Sequence, residues 1–246
     1  MHIFFSDAHL GLGSREVSRE REHHVIRFLE EVGSQNPESI WIVGDLFDYW
    51  FEYRTVIPRQ FVRTLGAIAQ LSDAGIPIEY VIGNHDFGHR DFFESELGVH
   101  LHRDDVEREL AGRRALISHG DGKALNDTGY LILKKVLRAR ISNTLWRWLH
   151  PDIGIGVAAR ASRKSRDHTT KKHYGGERPG EGDGLERFAR QKIEGEGFGL
   201  VVMGHNHRPA VVEFDGGVYV NLGNWMGERR TYLELDQQRV ELKEFK

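Results

Sequence analysis

Cysteine is absent from this chain of 246 residues. Its absence excludes disulfide bonds, zinc–thiolate sites and cysteine nucleophiles, so a bound metal ion would find only nitrogen and oxygen ligands. Long apolar runs are absent too, and none approaches the roughly 18 residues that a membrane-spanning helix requires. No basic stretch or apolar leader precedes the first strand pattern, so we expect no signal peptide and a cytoplasmic protein.

The net charge of −3 hides an uneven distribution. Residues 123–174 include twelve basic and three acidic side chains, a charge of +9 that leaves −12 for the remainder of the chain. Such a distribution favours an anionic partner for this part of the protein. We call residues 123–174 the basic segment. The run GGERPGEGDG at 175–184 follows it and predicts a flexible return loop without a phosphate-binding pattern.

The pattern of apolar residues predicts an α/β fold in a single domain over residues 1–246. Residues 1–120 alternate strand patterns with helical periodicity, which indicates a sheet covered by helices. From Leu200 the strands become closely spaced, as in a second and more antiparallel sheet. The predicted strands are His2–Ser6, Ser39–Val43, Ile76–Ile82, Arg114–Ser118, Leu200–Met203, Ala210–Phe214, Val218–Asn221, Thr231–Leu235 and Arg239–Glu244. The predicted helices are Ser18–Val32 and Arg59–Ala74.

Metal-ligand residue types follow five of the apolar runs. A single cluster of this kind is as typical of a polar turn as of a site, but five in succession predict one shared site, because the carboxyl ends of strands meet in one crevice. Asp, His and Asn ligands without thiolates suit Mn²⁺, Fe or Zn²⁺. The clusters are Ser6-Asp7-Ala8-His9, Gly44-Asp45-Leu46-Phe47-Asp48, Gly83-Asn84-His85-Asp86, His119-Gly120-Asp121 and Gly204-His205-Asn206-His207.

Two divalent ions in one crevice would repel each other unless an anion lay between them. Asp45 is the candidate for a carboxylate that bridges both ions. Such a pair would also acidify a water, which predicts phosphoester hydrolysis by direct in-line attack without a protein nucleophile.

The order D-x-H, G-D-x-x-D, G-N-H-D, H-G-D, G-H-x-H resembles that of the calcineurin-like metallophosphoesterases. The resemblance implies a four-layer αββα sandwich of two mixed β-sheets with two divalent metal ions between the sheet edges. It implies that His85 approaches the scissile phosphate and is oriented by Asp86, while Asp48 and Asp121 fix loops or ligand imidazoles. The implied ligands are Asp7, His9, Asp45 and His207 for one ion and Asp45, Asn84, His119 and His205 for the other.

The motifs SDAHLG, VGDLFDYWFEY and GHNHRPAV resemble those of the UDP-2,3-diacylglucosamine hydrolases of lipid A synthesis. That resemblance implies Mn²⁺-dependent cleavage of the substrate's pyrophosphate, giving UMP and 2,3-diacylglucosamine 1-phosphate. It also implies a position on the inner membrane, with the basic segment as a helical cap. The implied substrate contacts are Asn84, His85, Asp127, Tyr130, Ser165 and Lys172. The chain departs from that family at His85, where well-studied members have arginine.

An apolar stripe runs through the basic segment at helical spacing, flanked by lysine and arginine. The stripe comprises Leu133, Val136, Leu137, Ile141, Leu145, Trp148 and Leu149. It fits an ordinary core-facing helix as well as an acyl groove or an anionic membrane surface. Nucleic acid is disfavoured, because the chain is net acidic and the basic patch accompanies this stripe. Two alternative functions remain, namely hydrolysis of nucleotide or phospholipid phosphodiesters and a non-catalytic metal-binding scaffold.

Overall fold

The computed structural model describes residues 1–123, 146–154, 156 and 181–246. Four predicted substrate contacts, Asp127, Tyr130, Ser165 and Lys172, lie outside the described residues, as does the stripe from Leu133 to Leu145.

A six-stranded mixed sheet forms the first half of the fold, in the order β11-β10-β1-β2-β3-β4. Strands β1 to β4 run parallel to one another. Strand β10 pairs antiparallel with β1, and β11 pairs antiparallel with β10. Parallel pairing from β1 to β3 brings their carboxyl ends to one edge of the sheet. The strands are β1 (His2–Phe5), β2 (Ser39–Val43), β3 (Ile78–Val81), β4 (His100–His102), β10 (Arg230–Leu235) and β11 (Val240–Phe245).

A five-stranded mixed sheet forms the second half, in the order β5-β6-β7-β9-β8. Its three central strands are parallel, and both edge strands pair antiparallel. The strands are β5 (Val106–Leu110), β6 (Arg113–Ile117), β7 (Leu200–Met203), β8 (Ala210–Phe214) and β9 (Gly217–Asn221).

Within the described part of the chain, helices α1 to α4 pack on the sheets. Helix α1 (Arg15–Gly33) begins after Ser14, whose side chain accepts a hydrogen bond from Val17 N, as an N-cap residue does. A 3₁₀ turn (Arg59–Phe61) leads into α2 (Val62–Asp73). Helix α3 (Phe92–Ser95) is a single turn, and α4 (Glu181–Arg190) continues into a π-helical turn (Gln191–Gly195).

Alternation along the strands builds the layers. In β2, Ile40 and Ile42 pack outward against α1 and α2, while Trp41 and Val43 pack inward against the second sheet. Alternate residues of a strand face opposite sides, so one buried strand serves two cores. The opposite face of the second sheet packs on Leu185 and other apolar residues of α4. The predicted αββα sandwich of two mixed sheets is therefore confirmed.

Three element predictions need correction. Strands β4 and β5 were not predicted, because β4 has only three residues and β5 (VEREL) is apolar only at its ends. Residues 181–184, predicted as part of a loop, belong to α4. Burial of Leu185, Ala189 and Ile193 on one face stabilises this helix despite its glycines. Helix α1 begins three residues earlier than predicted, at Arg15.

Phe28 on α1 is the residue whose loss should destabilise the first sheet most clearly. Its buried ring lies 4.8 Å from Trp225, 4.9 Å from Tyr232 and 5.4 Å from Phe245, measured between ring centroids. We expect Phe28→Ala to lower the free energy of unfolding by about 3–5 kcal/mol in urea titrations, because it leaves a cavity. The control Val17→Ala, on the exposed side of the same helix, should change it by less than about 0.5 kcal/mol. Equal effects would contradict this packing.

Candidate metal centre

The five ligand-bearing loops follow β1, β2, β3, β6 and β7 and meet where the two sheets adjoin. Hydrogen bonds continue between neighbouring loops beyond the strands, from Asp7 N to Gly44 O at 3.1 Å and from His9 N to Asp45 O at 2.9 Å. Gly204 N donates in the same way to His119 O at 3.1 Å. The loops are therefore held side by side, and their side chains project into one crevice, as the sequence predicted.

Backbone strain is concentrated in these loops. Seven described residues other than glycine have positive φ, and five of them are predicted metal ligands. Positive φ costs free energy in a side-chain-bearing residue and persists only where the surroundings hold it, typically at functional sites. The five are Asp7, His9, Asp45, His205 and His207, with φ between 45° and 72°.

Two glycines allow the loops to approach each other closely. A Cβ atom at Gly204 would lie 2.0 Å from Ser6 Oγ and 2.4 Å from Asp7 Oδ2. A Cβ atom at Gly83 would lie 2.1 Å from Asp45 Oδ1. Glycine is thus required at both positions by contact with a ligand loop.

Asp7, His9 and His207 form the first group of ligand atoms. Nε2 of His207 lies 3.2 Å from Asp7 Oδ1 and 3.2 Å from Nε2 of His9, and the latter lies 3.6 Å from Asp7 Oδ1. Ligand atoms about 2.0–2.2 Å from one ion, at tetrahedral to octahedral angles, lie about 2.9–3.5 Å apart. The three atoms therefore fit one metal ion.

Asp45, Asn84 and His119 form the second group. Nε2 of His119 lies 3.0 Å from Asn84 Oδ1 and 3.3 Å from Asp45 Oδ2. Nδ1 of His119 lies 2.9 Å from Val43 O, so it carries the proton and leaves Nε2 as the ligand atom. Asp45 also lies close to His9 and to Asp7. It thus occupies the position between the two groups that a bridging carboxylate requires.

His205 lies beside the second group without entering it as closely. Its ring is 5.1 Å from the ring of His119, and its backbone N donates to Asp7 Oδ2 at 2.9 Å. Burial and the neighbouring His119 lower the pKa of His205 to about 4, so its imidazole is neutral at pH 7 and able to bind a metal ion.

Buried negative charge dominates the crevice. Asp7, Asp45, Asp86 and Asp121 are all buried. Burial would raise the pKa of Asp7, but the imidazoles of His207 and His9 lower it well below its usual range. Burial would lower the pKa of His119, but Asp45 raises it well above its usual range. Buried charges need compensation, and divalent cations would provide it here.

One side of the crevice is open to solvent. Asn84, His85, His205 and His207 are half-buried, whereas the other predicted ligands are buried. A phosphate group would therefore approach from the side on which the predicted substrate contacts Asn84 and His85 lie.

Asp86 lies between two ligand loops. Its carboxylate accepts hydrogen bonds from Gly83 N at 2.8 Å, from Leu46 N at 3.0 Å and from Tyr80 OH. Asp86 therefore joins two ligand loops, and its orienting role toward the His85 ring stays a prediction. Nδ1 of His85 lies 3.2 Å from Asp48 O and 3.8 Å from Asp48 Oδ1.

Asp48 thus lies beside the His85 ring. Its Oδ1 lies 3.7 Å from Nδ1 of His9 as well, so one carboxylate faces two imidazoles. The predicted role of Asp48 in fixing imidazoles agrees with these distances.

Several residues of the centre were missed in the sequence. The Ser6 hydroxyl donates to the Asp7 carboxylate, and NH1 of the buried Arg21 donates to His9 O at 2.7 Å. Arg21 lies on a helix and Tyr80 within a strand, so no spacing signal indicates either. Asn221 is the last residue of β9 and Asn224 follows it, and a sixth cluster of polar residues after an apolar run could have indicated them.

The family model of the calcineurin-like phosphoesterases matches residues 3–209. The chain belongs to this family. Membership implies that the crevice binds divalent metal ions, and the two groups of ligand atoms fit such ions.

Two relatives carry a more specific name. The chain is 34% identical over 215 residues to the UDP-2,3-diacylglucosamine hydrolase of Porphyromonas gingivalis, covering 83% of this chain and 82% of the relative. It is 26% identical over 242 residues to the enzyme of the same name from Haemophilus ducreyi, covering 98% of each chain.

A solved structure supports the fold alone. An archaeal phosphodiesterase aligns over 99% of both chains with 13% sequence identity and a TM-score of 0.50. Among the described residues, the helices are too short or too polar to cross a bilayer.

Asp45→Asn tests the bridging position. The substitution keeps the side-chain size but removes the charge between the two groups, so we expect the loss of one bound metal ion and of nearly all turnover. Metal content after gel filtration and initial rates measure the two effects. The exposed Asp215→Asn serves as the matched control and should bind metal as the wild type does. Two tightly bound ions in Asp45→Asn, with a near-normal rate, would exclude the bridging role.

Proposed function

We propose that this protein hydrolyses the pyrophosphate bond of UDP-2,3-diacylglucosamine to UMP and 2,3-diacylglucosamine 1-phosphate, a step of lipid A synthesis. The observation that carries the proposal is the convergence of all seven predicted ligands in one open crevice, in a chain whose relatives bear this enzyme name over most of their length. The non-catalytic scaffold is disfavoured, because no predicted ligand is missing.

Two divalent ions, with Mn²⁺ proposed as the native metal and Fe or Zn²⁺ as alternatives, complete the site. Asp7, His9, Asp45 and His207 would hold one ion, and Asp45, Asn84, His119 and His205 the other. When bound, the ions supply Lewis acidity toward the phosphoryl oxygens and make water nucleophilic at neutral pH.

His85 is the proposed residue that acts on the scissile phosphate. Its ring centroid is 5.0 Å from that of His9, and it lies on the open side of the crevice. Burial lowers the pKa of His85, and the carboxylate of Asp45 opposes this shift. Asp48 orients the ring through Nδ1. We propose that His85 stabilises charge on the phosphoryl oxygens or protonates the leaving group.

The basic segment is the proposed cap, inserted within one domain. We propose that it contributes Asp127, Tyr130, Ser165 and Lys172 to the substrate site. Its described part exposes apolar side chains, with relative exposures of 86% for Trp148, 57% for Ile153 and 40% for Leu149. Exposed indole and aliphatic groups within a basic segment suit an anionic membrane surface. They support a peripheral position on the cytoplasmic face of the inner membrane.

One feature favours a second candidate function. The chain has His85 where the lipid A family usually has arginine, and G-N-H-D is the general form among phosphoesterases. A dinuclear phosphoesterase acting on nucleotide or phospholipid phosphodiesters is therefore the alternative. Incubation with Mn²⁺ and, separately, the diacyl nucleotide, cyclic nucleotides and a generic diester, with products identified by mass spectrometry, distinguishes the two.

Hydrolysis in ¹⁸O-labelled water identifies the phosphorus that is attacked. Because water attacks directly and no covalent phospho-enzyme forms, we expect one ¹⁸O atom in UMP and none in the lipid phosphate. Mass spectrometry of both products after a single turnover measures this. Label in the lipid phosphate alone would place the attack at the other phosphorus and contradict the proposed reaction.

The double variant Leu137→Asp with Ile141→Asp tests the proposed acyl groove. If the stripe binds the acyl chains, kcat/KM for the diacyl substrate should fall by about a hundredfold or more, since each buried methylene contributes about 0.8 kcal/mol. A small water-soluble diester should react as before, and circular dichroism should show an intact fold. Equal losses on both substrates would mean that the stripe is core.

A further inference from the structure

The loop from β9 to β10 contacts the metal centre from outside the crevice. It leaves the second sheet at Asn221 and enters the first sheet at β10. We call residues 221–225 the brace. Nδ2 of Asn221 donates to Gly204 O at 2.8 Å, and Nδ2 of Asn224 donates to His207 O at 3.1 Å. The brace therefore holds both ends of the loop that carries His205 and His207.

The brace also reaches the first sheet. The backbone N of Trp225 donates to Asp7 O at 3.1 Å. One five-residue segment thus contacts ligand loops of both sheets, and it contributes to fixing the separation between Asp7 and His207.

The two asparagine amides are fixed in orientation. Oδ1 of Asn221 accepts from Gly223 N at 3.1 Å, and Oδ1 of Asn224 accepts from Met226 N at 2.9 Å. These are Asx turns, in which the side-chain oxygen bonds to the backbone two residues on. The oxygen of each amide is used within the brace, so its NH₂ group is the part that reaches the ligand loop.

Trp225 anchors the brace in the core. Its buried ring lies 4.8 Å from that of Phe28 and 5.7 Å from that of Phe5, and its Nε1 donates to Thr231 O at 3.0 Å. The residue that follows Asn224 in the chain is thus immobilised by packing, which restrains the position of Asn224 itself.

His207 is the ligand that most needs such support. Its φ is 60° and its side chain is 33% exposed, whereas the side chains of Asp7 and His9 are buried. Packing therefore restrains His207 less than it restrains the other two ligands of its group. A strained conformation persists only where the surroundings hold it, and the hydrogen bond from Asn224 to His207 O is a contact of that kind.

We propose that Asn224 is a positioning residue that holds His207 in its ligating conformation and so sets the affinity of the Asp7–His9–His207 group for its metal ion. The inference rests on the metal centre proposed above. It predicts an effect on one of the two metal ions. The described hydrogen bonds of Asn224 join it to the loop of His207 and to Met226, and none of them joins it to the Asn84–His119 group.

The test is calorimetric titration of the metal-free, full-length protein with Mn²⁺ alone. We expect two ions in the wild type and, in Asn224→Ser, an affinity at least about tenfold lower for one of them, as is typical when a residue that supports a metal ligand is removed. Serine can still accept from Met226 N in an analogous turn, but its shorter side chain does not reach His207 O. Asn224→Ala should have the same effect on Mn²⁺. Excess Mn²⁺ should restore kcat in both variants.

The matched control is Gln238→Ala, an exposed amide in the hairpin between β10 and β11, which should bind both ions as the wild type does. Unchanged affinities in both Asn224 variants would overturn the inference while leaving the metal centre intact. Equal weakening of both ions, together with a lower melting temperature of the metal-free protein, would show general destabilisation and overturn it too. A wild type that binds no Mn²⁺ would overturn the metal centre itself, and this inference with it.

Discussion

The repulsion between buried carboxylates is the constraint on which the rest of the site depends. Asp7 and Asp45 lie at the ends of adjacent parallel strands, and both are removed from water. Bringing them together costs free energy that imidazoles offset only in part, because an imidazole must be protonated to compensate a carboxylate. Divalent cations offset it without a proton. The arrangement thus suits a metal centre, and Asp45 faces both groups of ligand atoms.

Strain follows from the same constraint. Ligand atoms must converge from five loops on two points, and extended backbone does not provide that convergence. Positive φ at Asp7, His9, Asp45, His205 and His207 turns the side chains inward. The cost is met by contacts of residues that are not predicted ligands, namely Asp86 between two loops, Arg21 on the carbonyl of His9, and the brace on the loop of His207. These contacts hold the loops in position before a metal ion binds.

The sequence alone was sufficient to predict the ligand clusters, because a single apolar strand determines both the burial of its own residues and the direction in which the following loop leaves the sheet. The five clusters were predicted because each follows an apolar run, and the family match and the two mixed sheets confirm the fold class. Adjacency to His85 in the chain does not determine the partners of Asp86, so its hydrogen bonds to Gly83, Leu46 and Tyr80 could not be predicted from the sequence. Strands β4 and β5 escaped prediction because pairing with a neighbour, and not their own composition, makes them strands. The polar cluster after β9 could have indicated Asn224, but not its partner, which is seventeen residues away.

The distribution of function along the chain follows from these physical roles. Metal binding depends on the ends of strands shared by both sheets, so it is tied to the core and admits little variation in geometry. The residues proposed to recognise the lipid belong instead to the basic segment, whose charge of +9 contrasts with −12 elsewhere. His85 belongs to both parts of the site. Its Nδ1 lies within hydrogen-bond distance of the backbone oxygen of the buried Asp48, and its ring lies on the open side of the crevice. A change at His85 therefore acts on the open side of the crevice, next to His9 and Asp45.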